Sequence, residues 1–595
     1  MWARRSPGAW SGGKGRWATP DRTTALCIWR ASWSVSGRRW AASRRRAASS
    51  RSSSPSAPIP MRFHPAARPG PPTRTPESPP LAASSVAAGI FVSRVFGMAR
   101  EMVFAHHFGT GDLVDAWRTA LRIPNVLQNL LGEGTLSASF IPVYVRLLEE
   151  GREEEAGRAA GAVLGLLAAV AGVLAALGVW AAPWLVTLIA PGFSGDARAD
   201  TVVSLLRLLF PMTGVLVLSA WALGILNSHR RFFVSYVAPA LWNLAMIVAV
   251  VGAAARGFLG TELILAMAWG ALAGGVLQLL FQIPFLLRFL KHVVPSISTR
   301  VAGVREVVTN FVPVFAARGA VNLSALVDTN LASRLAPGAV GIMGYALPLY
   351  LLPVSLFGMS VAAAELPEMS RDRAAGARVV RERTERAVGT VLFWLIPITL
   401  GYIVFREEVM AIYRTGGAFA ETDAVAAGAV LAAYALGLPA SGTSRVLSSA
   451  FYALGDTRTP ARIAYARILV SAAVGVALMF PLDGLKVGEL GLGAAGLAVG
   501  ASVGAWLEQS LLRRRLGGQL PGLSLGGSRV VRCVAAALAA TAVGLVPRLL
   551  LPALHPIVGA AATILPVAIT YLWVAHLLGV SPERLRRLYR RGWRR

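Results

Sequence analysis

The chain has 595 residues, of which 55% are hydrophobic and only 15% charged, with a mean hydropathy of +0.56. This excludes an ordinary soluble domain, where charged residues make up about a quarter of the total. The net charge of +29 would point a soluble chain towards nucleic acid, but here the basic residues lie between apolar runs, so membrane topology accounts for them. Two cysteines in unlike settings, Cys27 and Cys533, supply neither a disulfide nor a metal framework.

Residues 1–80 hold 15 Arg/Lys against two acids, Asp21 and Glu77, and are rich in Ser, Pro and Trp. The segment has no apolar core for a secretory signal, although its composition resembles an organelle transit peptide. A disordered basic extension, or a start of translation nearer Met61, is the plainer expectation. From residue 82 onwards, apolar runs recur at 82–104, 117–145, 159–189, 202–226, 233–253, 263–287, 307–333, 341–366, 387–405, 424–450, 464–480, 491–512, 533–550 and 556–579. Each is long enough to cross roughly 30 Å of hydrocarbon as a helix. Strand-period alternation is absent, so an outer-membrane barrel is not expected. The expected fold class is therefore an all-α integral membrane protein with about fourteen transmembrane helices.

Lys and Arg between the runs set the orientation. With the N-terminus inside, the inside connections hold 30 basic residues and the outside ones seven. Both termini are thus expected in the cytoplasm, with a basic tail at 581–595. Seven arginines remain inside spans: Arg94, Arg100, Arg118, Arg122, Arg207, Arg318 and Arg445. Arginine at mid-bilayer costs at least about 2.5–3.5 kcal/mol on insertion scales, so such residues mark wet cavities or partners, except where one near a span end snorkels.

The second span carries Arg118, Arg122, Asn125, Asn129 and Glu133 at spacings that keep them on one helical face, interrupted by Pro124. Either a polar seam between helices or the lining of a hydrated path fits the stripe. The path is favoured, because the arginines outnumber the acids nearby. The first span places Arg94 two turns from Glu101, with Gly97 between them, and a local ion pair is one reading. A cavity with excess arginine wants a polyanion, since guanidinium forks suit phosphate oxygens. His106 and His107 are expected in an outside loop without a role.

Residues 121–142 and 345–367 share an early Pro, small central residues and a terminal Pro, at an offset of 224 that also places Arg94 on Arg318. This implies two related six-helix lobes, 81–290 and 305–515, with two helices appended at 529–580, and substrate binding at the lobe interface by alternating access. In the seventh span, Asp328 is open to two readings, a coupling ion (Na+ or H+) or an interhelical bond. Walker A, G-x-S-x-G and H-E-x-x-H signatures are absent, so no enzyme activity and no resident cofactor are expected.

The stretch SRVFGMAREMVFAHHFGTGDLVDAWRTALRIPNVLQNLLGEGTLSASFIPVY at 93–144, with APGF at 190–193, YRTGGAF at 413–419 and FYALGDTRTP at 451–460, resembles the MurJ/MviN lipid II flippases. The resemblance implies a MOP-superfamily fold in the bacterial cytoplasmic membrane. It implies flipping of an undecaprenyl-pyrophosphate-linked peptidoglycan precursor, with the last two helices helping to form a groove for the prenyl tail. Family positions match at Arg94, Arg100, Asp115, Asn125 and Glu133, and Arg122 and Arg318 complete the expected substrate site. The expected partners are this lipid-linked substrate and membrane lipids, with no nucleic acid. A monomer working beside the cell-wall synthesis machinery is expected. Two arginines usual in the family are missing, where Gln128 and Pro348 stand. The alternatives are a flippase for another lipid-linked oligosaccharide and an inactive or scaffolding paralogue.

Overall fold

The computed structural model describes residues 80–550 and 555–582. The expectations for residues 1–79 and for the tail from residue 583 lie outside this range. Almost all the described structure is helical; the only strands among the described residues are the antiparallel pair Lys486–Val487 and Leu490–Gly491.

Nine helices among the described residues are long and apolar enough to cross a membrane, and the bent pair Glu421–Ala435 and Leu438–Ala453 makes a tenth. At the four remaining predicted positions lie the helices Pro80–Phe108, Val304–Ala332 and Gly493–Gln519 and the broken run from Asp112 to Glu149. Polar residues are concentrated in the first, second and seventh predicted spans, which carry the stripe and most of the intramembrane arginines. Helical structure occupies the predicted positions, and ten of them meet the length and apolarity of a membrane span. The eighth continues past its predicted end, through a π-helical turn at Val354–Met359, to Asp372.

The second span is not one helix. It is broken into Asp112–Ala120, Arg122–Leu131, Glu133–Ser139 and Ile141–Glu149. Two of the breaks have a proline as their cause. Pro124 cannot donate to Ala120 and its ring crowds that carbonyl, and Pro142 does the same to Ala138, so the chain breaks at Leu121 and Phe140. The expected kink at Pro124 is therefore one of three breaks. The backbone groups freed there are tolerated only where protein or a wet cavity covers them.

Packing is carried by small residues where helices come closest. Gly496, Gly500 and Gly504 are spaced by four, and a side chain at each would strike the helix Arg458–Asp483. The largest buried cluster joins residues from before and after the 288–305 connection, among them Phe104, Trp117, Tyr345 and Tyr413. The last two helices, Gly527–Leu550 and Pro556–Leu577, dock on Ala377–Val404 through Phe393, Cys533 and Tyr571, with the Tyr571 hydroxyl donating to the Phe393 carbonyl.

Candidate functional site

Four of the five residues of the polar stripe, Arg118, Arg122, Asn129 and Glu133, meet the second half of the chain. Arg118 lies over the Tyr345 ring, 5.2 Å from its centroid. Arg122 is within electrostatic reach of Asp328 and Tyr434. Asn129 donates to Asn322 across 3.3 Å. The Arg318 guanidinium sits against Gly134, where any side chain would collide with it, and within electrostatic reach of Glu133. Partners rise along the second span as they fall along the helix Val304–Ala332, so the two run antiparallel, face to face.

This seam is not closed. Asn125, Asn129, Glu133, Arg318 and Asp328 are all exposed at depths where the neighbouring helices are apolar. Exposed charge at such depth requires water or a polar ligand. The arrangement therefore fits the lining of a hydrated cavity between the two halves. Arg94 is also exposed, and it makes no ion pair among the described residues. The Arg94–Glu101 ion pair, one of the readings of the first span, does not form. A side chain at Gly97 would meet only Asn243, 4.0 Å away, so no neighbouring helix approaches closely there.

Glu101 is instead the centre of a partly buried triad. Its carboxylate accepts from Arg100 at 2.5 Å and from both terminal nitrogens of Arg118, at 2.5 and 3.3 Å. Arg100 in turn lies 5.3 Å from the Trp242 ring centroid, and Arg118 lies over Phe104 as well as Tyr345. Two cations on one anion leave a net positive charge, and aromatic faces on the guanidinium groups stabilise it further. Arg118 also packs on Gly344, one helical turn before Pro348. It thus brings a guanidinium to the part of the eighth span where the usual arginine is missing.

Asp115 does not face this cavity. It is 1% exposed, accepts from the Gly338 and Gly341 N–H groups at 2.8 and 2.7 Å, and pairs with Arg198 at 3.4 Å. It caps the start of the helix Ala339–Pro353 from the other half of the chain. Around it, at the end that the charge bias assigns outside, further bonds cross between the halves. Thr110 donates to Asp423, the Tyr345 hydroxyl to the Gly109 carbonyl, and Asn330 to the Leu188 carbonyl. His106 meets Thr415 at 3.0 Å, so the histidine lies in the last turn of the first helix and takes part in this contact, contrary to the expectation of an idle loop residue.

Two of the motifs that carry the family resemblance lie in the same contact. In APGF, a side chain at Gly192 would strike the Ser333 backbone; in YRTGGAF, one at Gly417 would strike the His106 carbonyl. The strings by themselves carry no visible physical reason. Close backbone approach, which only glycine permits, is that reason. Arg198, Asn322 and Tyr345 were not singled out from the sequence. Only Asn322 offered a signal there, a polar residue one turn from Arg318. At the opposite end, Arg146 and Glu306 form a pair across the halves at 2.6 Å.

Asp328 makes no ion pair within 4.0 Å among the described residues, and Arg122 and Arg467 are its charged neighbours. No group of three or more His, Cys, Asp or Glu side chains among the described residues is arranged to hold a metal ion. Between the ninth and fourteenth spans, an apolar groove of about 390 Å³ is lined by Trp394, Tyr402, Phe405, Ile564, Tyr571 and neighbours.

A family model described as "Lipid II flippase MurJ" matches residues 104–565. Among curated relatives, a lipid II flippase MurJ of Burkholderia cenocepacia is 31% identical over 439 residues, covering 72% of this chain and 82% of the relative. A probable lipid II flippase MurJ of Rhizobium meliloti is 30% identical over 446 residues, covering 72% and 79%. Among solved structures, a lipid II flippase MurJ in an inward closed conformation superposes with a TM-score of 0.67 at 21% identity, over 83% of this chain and 98% of that one. An inward-facing multidrug resistance MATE family transporter of the MOP superfamily reaches 0.58 at 15% identity, over 74% and 100%.

Proposed function

The chain belongs to the lipid II flippase MurJ family, and on that premise we propose how it moves lipid II, the lipid-linked peptidoglycan precursor, across the cytoplasmic membrane. The observation that carries the reading is the exposed polar seam between the second and seventh spans, flanked by the Arg100–Glu101–Arg118 triad. In this reading fourteen spans form two six-helix lobes plus a C-terminal pair, with both termini in the cytoplasm. The 30-to-7 distribution of basic residues and the helices found at the four remaining predicted positions support it.

The pyrophosphate enters the cavity as a polyanion. Arg94, Arg100, Arg122 and Arg318 are its cationic partners, and Arg118 takes the place of the arginine missing at Pro348. Asn125 and Glu133 bind the sugar hydroxyl groups. The apolar groove along the ninth and fourteenth spans takes the prenyl tail, which stays in hydrocarbon while the head crosses. Asp115 acts as the outer clasp rather than as a direct ligand: it holds the lobes together at that end and must release Gly338 and Gly341 for the head to leave.

Without a nucleotide site, the cycle draws on a gradient or the membrane potential, the latter worth roughly 2.3 kcal/mol per charge per 100 mV. Asp328 is the coupling position. Two arginine neighbours disfavour a metal cation there, so H+ is the preferred ion over Na+. Complementation of a flippase-depleted bacterium tests the whole reading, with Glu133→Ala and Asp328→Asn as arms. Growth rescue by the native chain, lost in both variants at equal protein level, is expected. Failure of the native chain to rescue would turn the assignment towards another lipid-linked oligosaccharide or an inactive paralogue.

A further inference from the structure

Spans five and six leave a second apolar groove, on the membrane-facing side of the first half of the chain and separate from the transport site. The helices Phe232–Ala254 and Gly260–Leu286 meet so closely that a side chain at Gly270 would strike Ala249 and one at Gly274 would meet Trp242. Beside this contact the floor is made of small residues such as Ala245 and Gly252, while Val248 and Trp269 stand up as rims, 61% and 60% exposed. The groove holds about 1010 Å³. It runs from Leu241 to Ala253, roughly 18 Å at 1.5 Å per residue. That is close to the depth of one leaflet of a core about 30 Å thick.

At its mouth, on the side assigned outside, sit one cation and one anion. Arg256 and Glu262 both line the groove, both are exposed, and neither has an ion-pair partner among the described residues. Arg256 is anchored by a 3.0 Å bond to the Gly252 carbonyl, which holds its guanidinium over the groove. A slot one leaflet deep fits an acyl chain. A guanidinium and a carboxylate that both line the mouth without pairing with each other fit a head group that carries both a phosphate and a primary ammonium.

We propose that this groove is a binding site for phosphatidylethanolamine of the outer leaflet, with Arg256 on the phosphate and Glu262 on the ammonium. Phosphatidylcholine has the same net charge but no N–H to donate to Glu262. Phosphatidylglycerol offers the phosphate but only neutral hydroxyl groups, and no cation, for the carboxylate. The site is independent of the lipid II reading and shares no residue with it.

The test is native mass spectrometry of the purified, delipidated full-length protein offered equimolar phosphatidylethanolamine, phosphatidylcholine and phosphatidylglycerol. Retention of phosphatidylethanolamine about three- to fivefold above phosphatidylcholine is expected, the size of an exposed ion pair. Glu262→Gln should bring that ratio to about one, and Ala273→Trp, at an exposed position of the lining, should lower retention of all three lipids. Equal retention by the native chain, or a preference unchanged in Glu262→Gln, would overturn the assignment. Phosphatidylglycerol retained above phosphatidylethanolamine would overturn it as well, leaving Arg256 as a simple anion contact. Flipping activity of the variants should match that of the native chain and serves as the folding control.

Discussion

Arg318 and Glu101 show how much a charged side chain inside a span depends on what it meets. Arg318 reaches from its own helix to Gly134 of the other half, so it points into the seam. A desolvated guanidinium–phosphate contact contributes roughly 1.5–3 kcal/mol. Arg318→Ala should therefore weaken binding of a lipid II analogue about 10- to 150-fold, and Arg318→Lys should recover only part, because lysine lacks the planar fork. A titration giving unchanged affinity for Arg318→Ala would remove it from the site. Glu101 neutralises two largely buried arginines, with Arg118 only 12% exposed in its side chain. Removing one partner of such a cluster leaves unpaired buried charge, so Glu101→Ala should cost about 3–5 kcal/mol of stability. Thermal unfolding in detergent would read this as a large drop in Tm, and pairing the change with Arg118→Met should restore much of it. At this scale the sequence located the intramembrane arginines and the acids near them. It did not pair them, since the choice of Arg118 over Arg94 by Glu101 follows from how two helices cross.

The broken second span and the capped start of the helix Ala339–Pro353 are the elements that matter most for movement. Asp115 ties them together by accepting two backbone N–H groups, and these have no other partner if it is lost. Each unsatisfied backbone group costs about 1–3 kcal/mol unless water reaches it. Opening is the way water reaches it, so Asp115→Ala should shift the outer end towards the open state. Labelling of a Ser333→Cys reporter by a membrane-impermeant thiol reagent should then rise at least about tenfold, the equivalent of roughly 1.4 kcal/mol. Ser333 is well placed for this, being 1% exposed and beside Gly192. The same labelling in native and variant protein would mean that the clasp does not hold the outer end. Period and composition made these elements legible as a polar span and an apolar span. The three breaks were only partly legible: Pro124 was marked as a kink, whereas Gly132 and Phe140 were not.

For the whole molecule, the contacts at the two ends oppose one another. The pair Arg146–Glu306, at the end that the charge bias assigns inside, is half exposed, so it is weak and sensitive to salt, whereas the contact at the other end is buried and built from many bonds. Hydrogen bonds from Arg146 hold the Glu306 carboxyl below its ordinary value of 4.5. A depressed carboxyl stabilises the paired form above the ordinary value, and that contribution is lost as pH falls below it and the group takes up its proton. The inner end should therefore open as pH drops below about 4.5, or as salt rises. Glu306→Gln should shift the balance a few-fold towards opening at neutral pH and abolish the acid response. A distance reporter across residues 146 and 306 checks this, and an acid response that survives in Glu306→Gln would assign the effect to another group. An exposed pair shifts the balance only a few-fold, since moving a two-state equilibrium from 1:99 to 99:1 takes about 5.5 kcal/mol.

Apolar runs of bilayer length, the basic residues between them and arginines inside them were fixed by the sequence alone. They depend on the cost of putting backbone and charge into hydrocarbon, which is paid locally and so is written locally. The membrane class, the places of the helices and the polar face of the second span follow from that cost. The tertiary structure decided which charges meet: Glu101 with Arg100 and Arg118, Asn129 with Asn322, Arg318 over Gly134, and Asp115 on a helix start more than 200 residues away. Those contacts depend on how antiparallel helices from the two halves align. No local pattern encodes that alignment, because it arises only when distant small residues let the backbones approach.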